Sequence, residues 1–286
     1  MNTAVNAATA GLPVSGTGPS GTVGSRAASS LSIERLRITF GGIVAVDGLD
    51  LTVKPGAMHA LIGPNGAGKT TVLNCISRFY SPDAGSIRVD GHELTRMPDY
   101  GVAGLGIART FQNLELFGDL SVLDNVRIAR HRFQRAHLLE VLLGLPRKSR
   151  EDREQRERAT SIIESVGLAQ HLNARVRDLP YGTQKLVELA RAIALEPTLL
   201  LLDEPAAGMN NQEISRLGEL LVSLRERLGA TMLLIEHNMA LVMSISERIT
   251  VMNNGGFLAE GAPADIERDD AVIRAYLGSG RRVRKG

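Results

Sequence analysis

Residues 63–70 read GPNGAGKT, preceded by a short apolar stretch, AMHALI (57–62), and followed by TTVLNCISRF, which has helical spacing. The octapeptide fits G-x-x-x-x-G-K-[ST] in full and restricts the fold strongly. A buried strand must deliver the chain to a loop rich in backbone amides, and a helix must leave that loop with its positive end facing back into it. Gly66 and Gly68 let the amides curl round a β-phosphate with no Cβ in the way. Lys69 is then expected to reach the β- and γ-phosphates, and Thr70 to offer its hydroxyl to Mg²⁺. Gly63, Pro64, Asn65, Ala67 and Thr71 complete the expected nucleotide contacts.

The remainder of the chain supplies the matching layers. LSIERLRITF (31–40) and IVAVDGLDLTV (43–53) read as two strands joined at Gly41-Gly42. Pro82–Gly85 reads as a turn, SIRVDG as a strand, and GLGIA (104–108) as a short strand. Residues 113–178 read mostly as helix. Within them, 147–159 are charged throughout, with Asp152–Arg156 and Glu154–Arg158 at favourable i,i+4 spacing, the pattern of a solvated helix. TLLLLD (198–203) and TMLLIEH (231–237) read as buried parallel strands. Between them, apolar residues at 214, 217, 220, 221, 224 and 228 mark an amphipathic helix. Strand, helix and strand around a phosphate loop make a doubly wound α/β plan.

Two carboxylates close the first of those strands. Asp203 is expected on Mg²⁺ through water, and Glu204 where an attacking water would need a base. His237 ends the other strand, at the same sheet edge, placed to contact a γ-phosphate. Gln112, just after the GLGIA strand, carries an amide able to hold metal and water and to release them when its loop moves. DLPYGTQ (178–184) stands before the helical run KLVELARAIAL with none of the usual capping side chains on Leu179, Pro180, Tyr181 or Gly182. Such a loop presents backbone amides.

Together these motifs resemble an ABC transporter ATPase subunit. The Walker A loop is 63–70, the Q-loop glutamine is Gln112, the signature is 179–183, Walker B is 199–203 and the switch histidine is His237. The resemblance implies a P-loop NTPase cassette over 31–279. Its parts would be a RecA-like parallel-sheet core, an N-terminal antiparallel β layer and an inserted helical subdomain at about 113–185. It also implies ATP and Mg²⁺ as cofactors, and a second ATPase subunit, identical or different, whose nucleotide meets the amides of Tyr181, Gly182 and Thr183. Phe40 would stack on adenine, about 20 residues before the phosphate loop as in that family. The Pro-Tyr-Gly signature, RTFQNLELFGDLSVLDNV, DEPAAGMN with Asn210 where most of the family has Asp, LLIEHNMALVM and AEGAPADIERDDAVIRAYLG are similar to one branch, the ATPases of branched-chain amino acid importers. Thr183 stands where that branch has Gln, and Asn238 where it has Asp. That branch works with membrane permease subunits and a periplasmic binding protein, at the cytoplasmic face of the bacterial inner membrane. Leu114, Leu116 and Phe117, apolar with no evident core strand after them, are the expected permease contact.

Composition agrees. A net charge of +2 and aromatics at 3% give no basis for nucleic acid binding. A single cysteine, Cys75, is expected to be a buried small residue. No apolar run approaches the roughly 18 residues of a membrane span. Residues 1–30, mostly Ala, Gly, Ser and Thr with Arg26 the only charge, read as a flexible tail, and 280–286 as a basic one. A repair ATPase would need a long coiled-coil insertion, a translation ATPase two cassettes, and a small-molecule kinase neither signature nor switch histidine.

Overall fold

The computed structural model describes residues 27–112, 114–133 and 146–277. The expected tails over 1–26 and 280–286 and the apolar run 137–145 lie outside them. Residues 27–30 depart from the expected tail. Ser29 Oγ donates to Thr198 Oγ1 at 2.7 Å and the Ser30 amide to Asp90 Oδ1 at 2.7 Å, which latches this segment to the core.

Two sheets form the body. The first is antiparallel, in the order β2 (Ile43–Val53), β1 (Leu31–Phe40), β4 (Ala84–Val89), β5 (His92–Glu93). The second runs β10 (Gly256–Gly261), β9 (Arg248–Asn253), β3 (Met58–Ile62), β8 (Thr231–Ile235), β7 (Leu199–Asp203), β6 (Ile107–Arg109). Every pairing in it from β9 to β6 is parallel, and β10 joins as an antiparallel edge. β3, β7 and β8 are buried along their whole length, as near-continuous apolar runs require in a sheet covered on both faces.

The alternation along β7 divides the core. Leu199 and Leu201 face the antiparallel sheet and α1 (Lys69–Ile76), meeting Leu31, Leu61, Val72 and Leu73. Leu200 and Leu202 face α2 (Val122–Arg130), α3 (Pro146–Ser165), α4 (Tyr181–Ile193) and α5 (Asn211–Leu228), through Val126, Ile163, Val187 and Leu221. A third cluster sets α6 (Met239–Ile245), α7 (Pro263–Arg268) and α8 (Asp270–Leu277) against Ile62 and Val251.

α2 and α3 are joined to α4 by one buried cation. Arg130 Nε donates to Gln155 Oε1 at 2.8 Å, and its Nη1 to Ala194 O at 3.2 Å and Glu196 Oε1 at 3.1 Å. Among the described side chains of α3, Arg150–Glu154 and Arg153–Glu157 form i,i+4 pairs, rather than the two expected. Arg158 turns instead to Glu196, at 3.3 Å. The helix after the phosphate loop also stops early, at Ile76, because Arg78 takes a left-handed φ of 61°.

Candidate active site

The phosphate loop links β3 to α1. Gly68 caps the helix at φ 97°, and a Cβ there would lie 2.4 Å from the Ala45 carbonyl, so the close approach of β2 requires glycine. Lys69 is buried and folds back, donating to Gly63 O at 2.8 Å and Pro64 O at 3.0 Å. Burial pulls its ammonium below the usual lysine value, against the opposing pull of Glu204 and Asp203. An arriving phosphate replaces two neutral acceptors with a charged one, which makes a stronger bond.

β7 ends on the two carboxylates. Asp203 is 1% exposed at its side chain, and its Oδ2 accepts from Arg109 Nη2 at 2.7 Å. Arg109 also donates to Asn74 Oδ1 at 2.8 Å, so β6, β7 and α1 are fastened together at the site. Asp203 Oδ1 is buried with no hydrogen-bond partner among the described residues. A buried carboxylate oxygen left unpaired costs about 1–3 kcal/mol or more. It suits a hard cation or a metal-bound water.

Glu204 turns the chain at φ 49°, a conformation that non-glycine residues seldom adopt and that recurs at functional sites. Its amide is held by Ile235 O at 2.9 Å. Its carboxylate is shared: Gln112 Nε2 lies 3.1 Å from Oε2, and His237 Nε2 lies 3.0 Å from Oε1. Thus three candidates from three separate strand ends meet at one group. A cavity of about 630 Å³ opens there, lined by Ala45, Asn65, Gly66, Gly68, Lys69, Thr70, Thr71, Gln112, Glu204 and His237. A larger groove of about 830 Å³ between α5 and α6 holds none of these residues.

Two supports were missed by sequence reasoning. Glu236, buried beside His237, accepts the amides of Ala206 at 2.7 Å, His237 at 2.9 Å and Asn238 at 3.2 Å, tying the loop after Glu204 to the loop carrying the histidine. An acidic residue ending an otherwise apolar strand was the available signal. Arg109, the only charge in the β6 strand, was the other.

The remaining candidates lie elsewhere. α4 begins at Tyr181 with Pro180 at its cap position and no side-chain cap, so its first-turn amides are left for an outside acceptor. Tyr181 packs on Gly208 in the loop after Glu204, where a Cβ would lie 3.0 Å from the ring. Asn210 caps α5, accepting the amides of Gln212 and Glu213 in a full capping box. Neither Asn210 nor residues 181–183 line the phosphate cavity. Phe40 is 42% exposed and meets Tyr80 edge-on at 5.0 Å, outside the apolar core. Asn238 caps α6 through the Leu241 amide at 2.9 Å, a task Asn and Asp perform equally. Leu116 corrects the expectation of three exposed apolar residues: it packs on the helical core, Leu114 is half-buried, and Phe117 is 49% exposed. Cys75 is fully buried, which pushes its thiol up to about 11.

A cavity lined by the 63–71 loop at the end of a parallel sheet, with a carboxylate held between an amide and an imidazole, is the arrangement expected of an ATP-hydrolysing cassette. The family model described as ABC transporter matches residues 46–207, and the chain belongs to that family as an ATPase subunit that drives transport. A second model, described as branched-chain amino acid ATP-binding cassette transporter, matches residues 258–281. Among curated proteins the chain is similar to the high-affinity branched-chain amino acid transport ATP-binding protein LivG of Escherichia coli K12. The two are 44% identical over 248 residues, covering 87% of this chain and 97% of LivG. Identity and coverage are the same for BraF of Pseudomonas aeruginosa. Among solved structures, the ADP conformation of MJ1267, an ATP-binding cassette of an ABC transporter, superposes with a TM-score of 0.75 at 28% identity. That match covers 87% of this chain and 99% of the other.

Proposed function

We propose that this chain is the motor subunit of a branched-chain amino acid importer, and that it hydrolyses ATP held between two ATPase subunits. The convergence of Gln112 and His237 on Glu204 at the mouth of the phosphate loop carries this reading. Residues 63–71 bind the phosphates, with Lys69 released from its two carbonyls to the β- and γ-oxygens. Glu204 takes a proton from the attacking water, and His237 and Gln112 hold its carboxylate in place. Phe40 stacks on the adenine. Asp203, whose Oδ1 has no partner among the described residues, would hold Mg²⁺ through water, together with Thr70 and Gln112. Bound there, the ion would neutralise phosphate charge.

The signature amides at 181–183 lie outside this subunit's own cavity. They and the positive end of α4 receive the γ-phosphate of a second subunit, identical or different. Asn210 caps the helix next to that surface. The domain spans 31–279, with its helical part at about 113–185 meeting the permease through exposed Phe117. Among the described residues no helix is long and apolar enough to cross a membrane, so attachment to the cytoplasmic face of the inner membrane comes through the permease subunits. A periplasmic binding protein acts indirectly, through the permease.

The cargo never touches this subunit, so a test must include the partners. The chain is reconstituted in proteoliposomes with the permease and binding protein encoded beside it. ATPase activity and uptake of labelled leucine are then followed with ATP inside. Stimulation of both by leucine, isoleucine or valine, with none by urea, is expected. Stimulation by urea or a short acidic compound instead would overturn the cargo while leaving the motor intact.

A further inference from the structure

α4 turns two charged side chains inward, Lys185 and Glu188, with only 3% and 7% of each exposed. Burying charge is costly unless every lone pair and proton finds a partner. Both are satisfied almost wholly by backbone groups of two residues of the Gln112 loop, Phe111 and Gln112. Glu188 Oε1 accepts the Phe111 amide at 2.7 Å. Lys185 Nζ donates to Phe111 O at 3.1 Å and Gln112 O at 2.9 Å, and lies 3.5 Å from Glu188 Oε2. Burial pushes the Glu188 carboxyl up, while the Phe111 amide and Lys185 favour its charged form.

One residue earlier the chain is bonded differently. The Thr110 amide donates to Leu201 O at 2.9 Å, and Thr110 Oγ1 accepts the Asp203 amide at 3.2 Å. Arg109 is fastened to Asp203 and Asn74. Up to Thr110 the strand therefore belongs to the parallel sheet and α1. The backbone of Phe111 and Gln112 is bonded instead to α4. The boundary falls on a single peptide, between Thr110 and Phe111.

We infer that Lys185 and Glu188 are positioning residues that tie Gln112 to the signature helix, so that the reach of Gln112 to Glu204 is set by where α4 sits. This rests on the reading that residues 181–183, at the start of the same helix, engage a partner's nucleotide. The Gln112 side chain is 3.1 Å from Glu204 Oε2, so a shift of α4 by an ångström or two makes or breaks that contact. Engagement of the partner's nucleotide is thereby felt in this subunit's own site, through two buried charges and the backbone of Phe111 and Gln112.

Lys185→Met keeps the four-atom apolar stem and removes the ammonium with its three donors, whereas Lys185→Arg keeps donors at that position. Three quantities are measured for each: ATP affinity of the separate subunit, kcat and KM of the assembled pair, and hydrogen exchange at the Phe111 amide. The expected result for Lys185→Met is ATP affinity within twofold of wild type, kcat lowered at least tenfold with little change in KM, and faster exchange at that amide. Lys185→Arg should restore kcat to within about threefold. A kcat within twofold of wild type in Lys185→Met would overturn the proposal. So would a parallel loss of affinity, melting temperature and kcat that arginine does not repair, since the pair would then only support the fold. A separate experiment tests the underlying reading. If ATP fails to join two subunits in Glu204→Gln protein, the engagement in trans is wrong and the inference falls with it. If ATP joins them while Lys185→Met turns over normally, the tie alone is wrong.

Discussion

His237 Nε2 lies 3.0 Å from Glu204 Oε1, although the two residues end neighbouring strands 33 positions apart in sequence. Gln112 holds the other oxygen of the same carboxylate. The carboxylate is thus held from two sides, and in the proposed role of Glu204 as base, removing one hold would free it to leave the line of attack. His237→Ala is expected to lower kcat by about 10²-fold or more. ATP binding should change little, since the phosphate loop is untouched. Steady-state ATPase assays beside equilibrium nucleotide binding test this, and equal losses in both would point to a collapsed loop.

Pro180 occupies the cap position of α4 at φ −56° and ψ 149°, a conformation that serine also adopts. Proline has no N–H and no hydroxyl to offer an incoming γ-phosphate. Pro180→Ser is expected to add one bond to a charged group, worth roughly 1.5–3 kcal/mol. The ATP-bound dimer should tighten by about 10- to 100-fold. Sedimentation of the Glu204→Gln background at graded protein concentration reads this directly. An unchanged dimer constant would mean that position 180 does not face the nucleotide.

Phe117 is exposed while its backbone is pinned from behind. Its amide donates to Asn125 Oδ1, and its carbonyl accepts from Asn125 Nδ2, both at 3.0 Å. The ring can therefore be exchanged without releasing the loop. Phe117→Asp is expected to leave the ATPase of the isolated chain within twofold and to reduce transport in proteoliposomes at least tenfold. Retained transport would remove Phe117 from the permease contact.

His59 is buried on β3, with its Nε2 2.8 Å from Thr250 Oγ1, and burial lowers its pKa to about 4 from 6.5. The unfolded chain then binds a proton that the folded chain refuses. Stability from this group is full above pH 6.5 and is lost as pH falls from 6.5 toward 4, by about 3 kcal/mol at most. Denaturant unfolding at pH 7 and pH 5 should show this decline, and His59→Gln should flatten it. An equal decline in the variant would assign the pH effect to other groups.

β1 and β2 were legible to the residue, from the alternation over 31–40 and 43–53 and the Gly41-Gly42 turn, and they bury Leu31, Ile33, Leu49 and Leu51. β4 begins at Ala84, inside the expected turn, and ends at Val89, and the short β5 was not expected. The phosphate loop, the carboxylates and His237 were legible because strand ends and glycines restrict what can follow. The hairpin of β9 and β10 carried a readable signal too. Asn254 and Gly255, at φ 47° and 82°, form a turn with both central residues left-handed, the geometry Asn-Gly favours. Arg109, Lys185, Glu188 and Glu236 were not legible as supports. Each is a charged residue with at least one partner on a distant segment, and spacing along one helix or strand carries no record of that partner. The i,i+4 pairs on α3 were misread for a related reason, since Arg158 is drawn away by Glu196 on a different element.

The most direct measurement is made on Glu204→Gln protein with ATP and Mg²⁺, following mass by light scattering and turnover by phosphate release. The account predicts stable ATP-bound dimers, two nucleotides per dimer, and turnover at the percent level or below, a barrier rise of about 3 kcal/mol or more. Turnover near the wild-type rate would show that Glu204 is not the base. Monomers saturated with ATP would show that the amides of residues 181–183 have no nucleotide to meet.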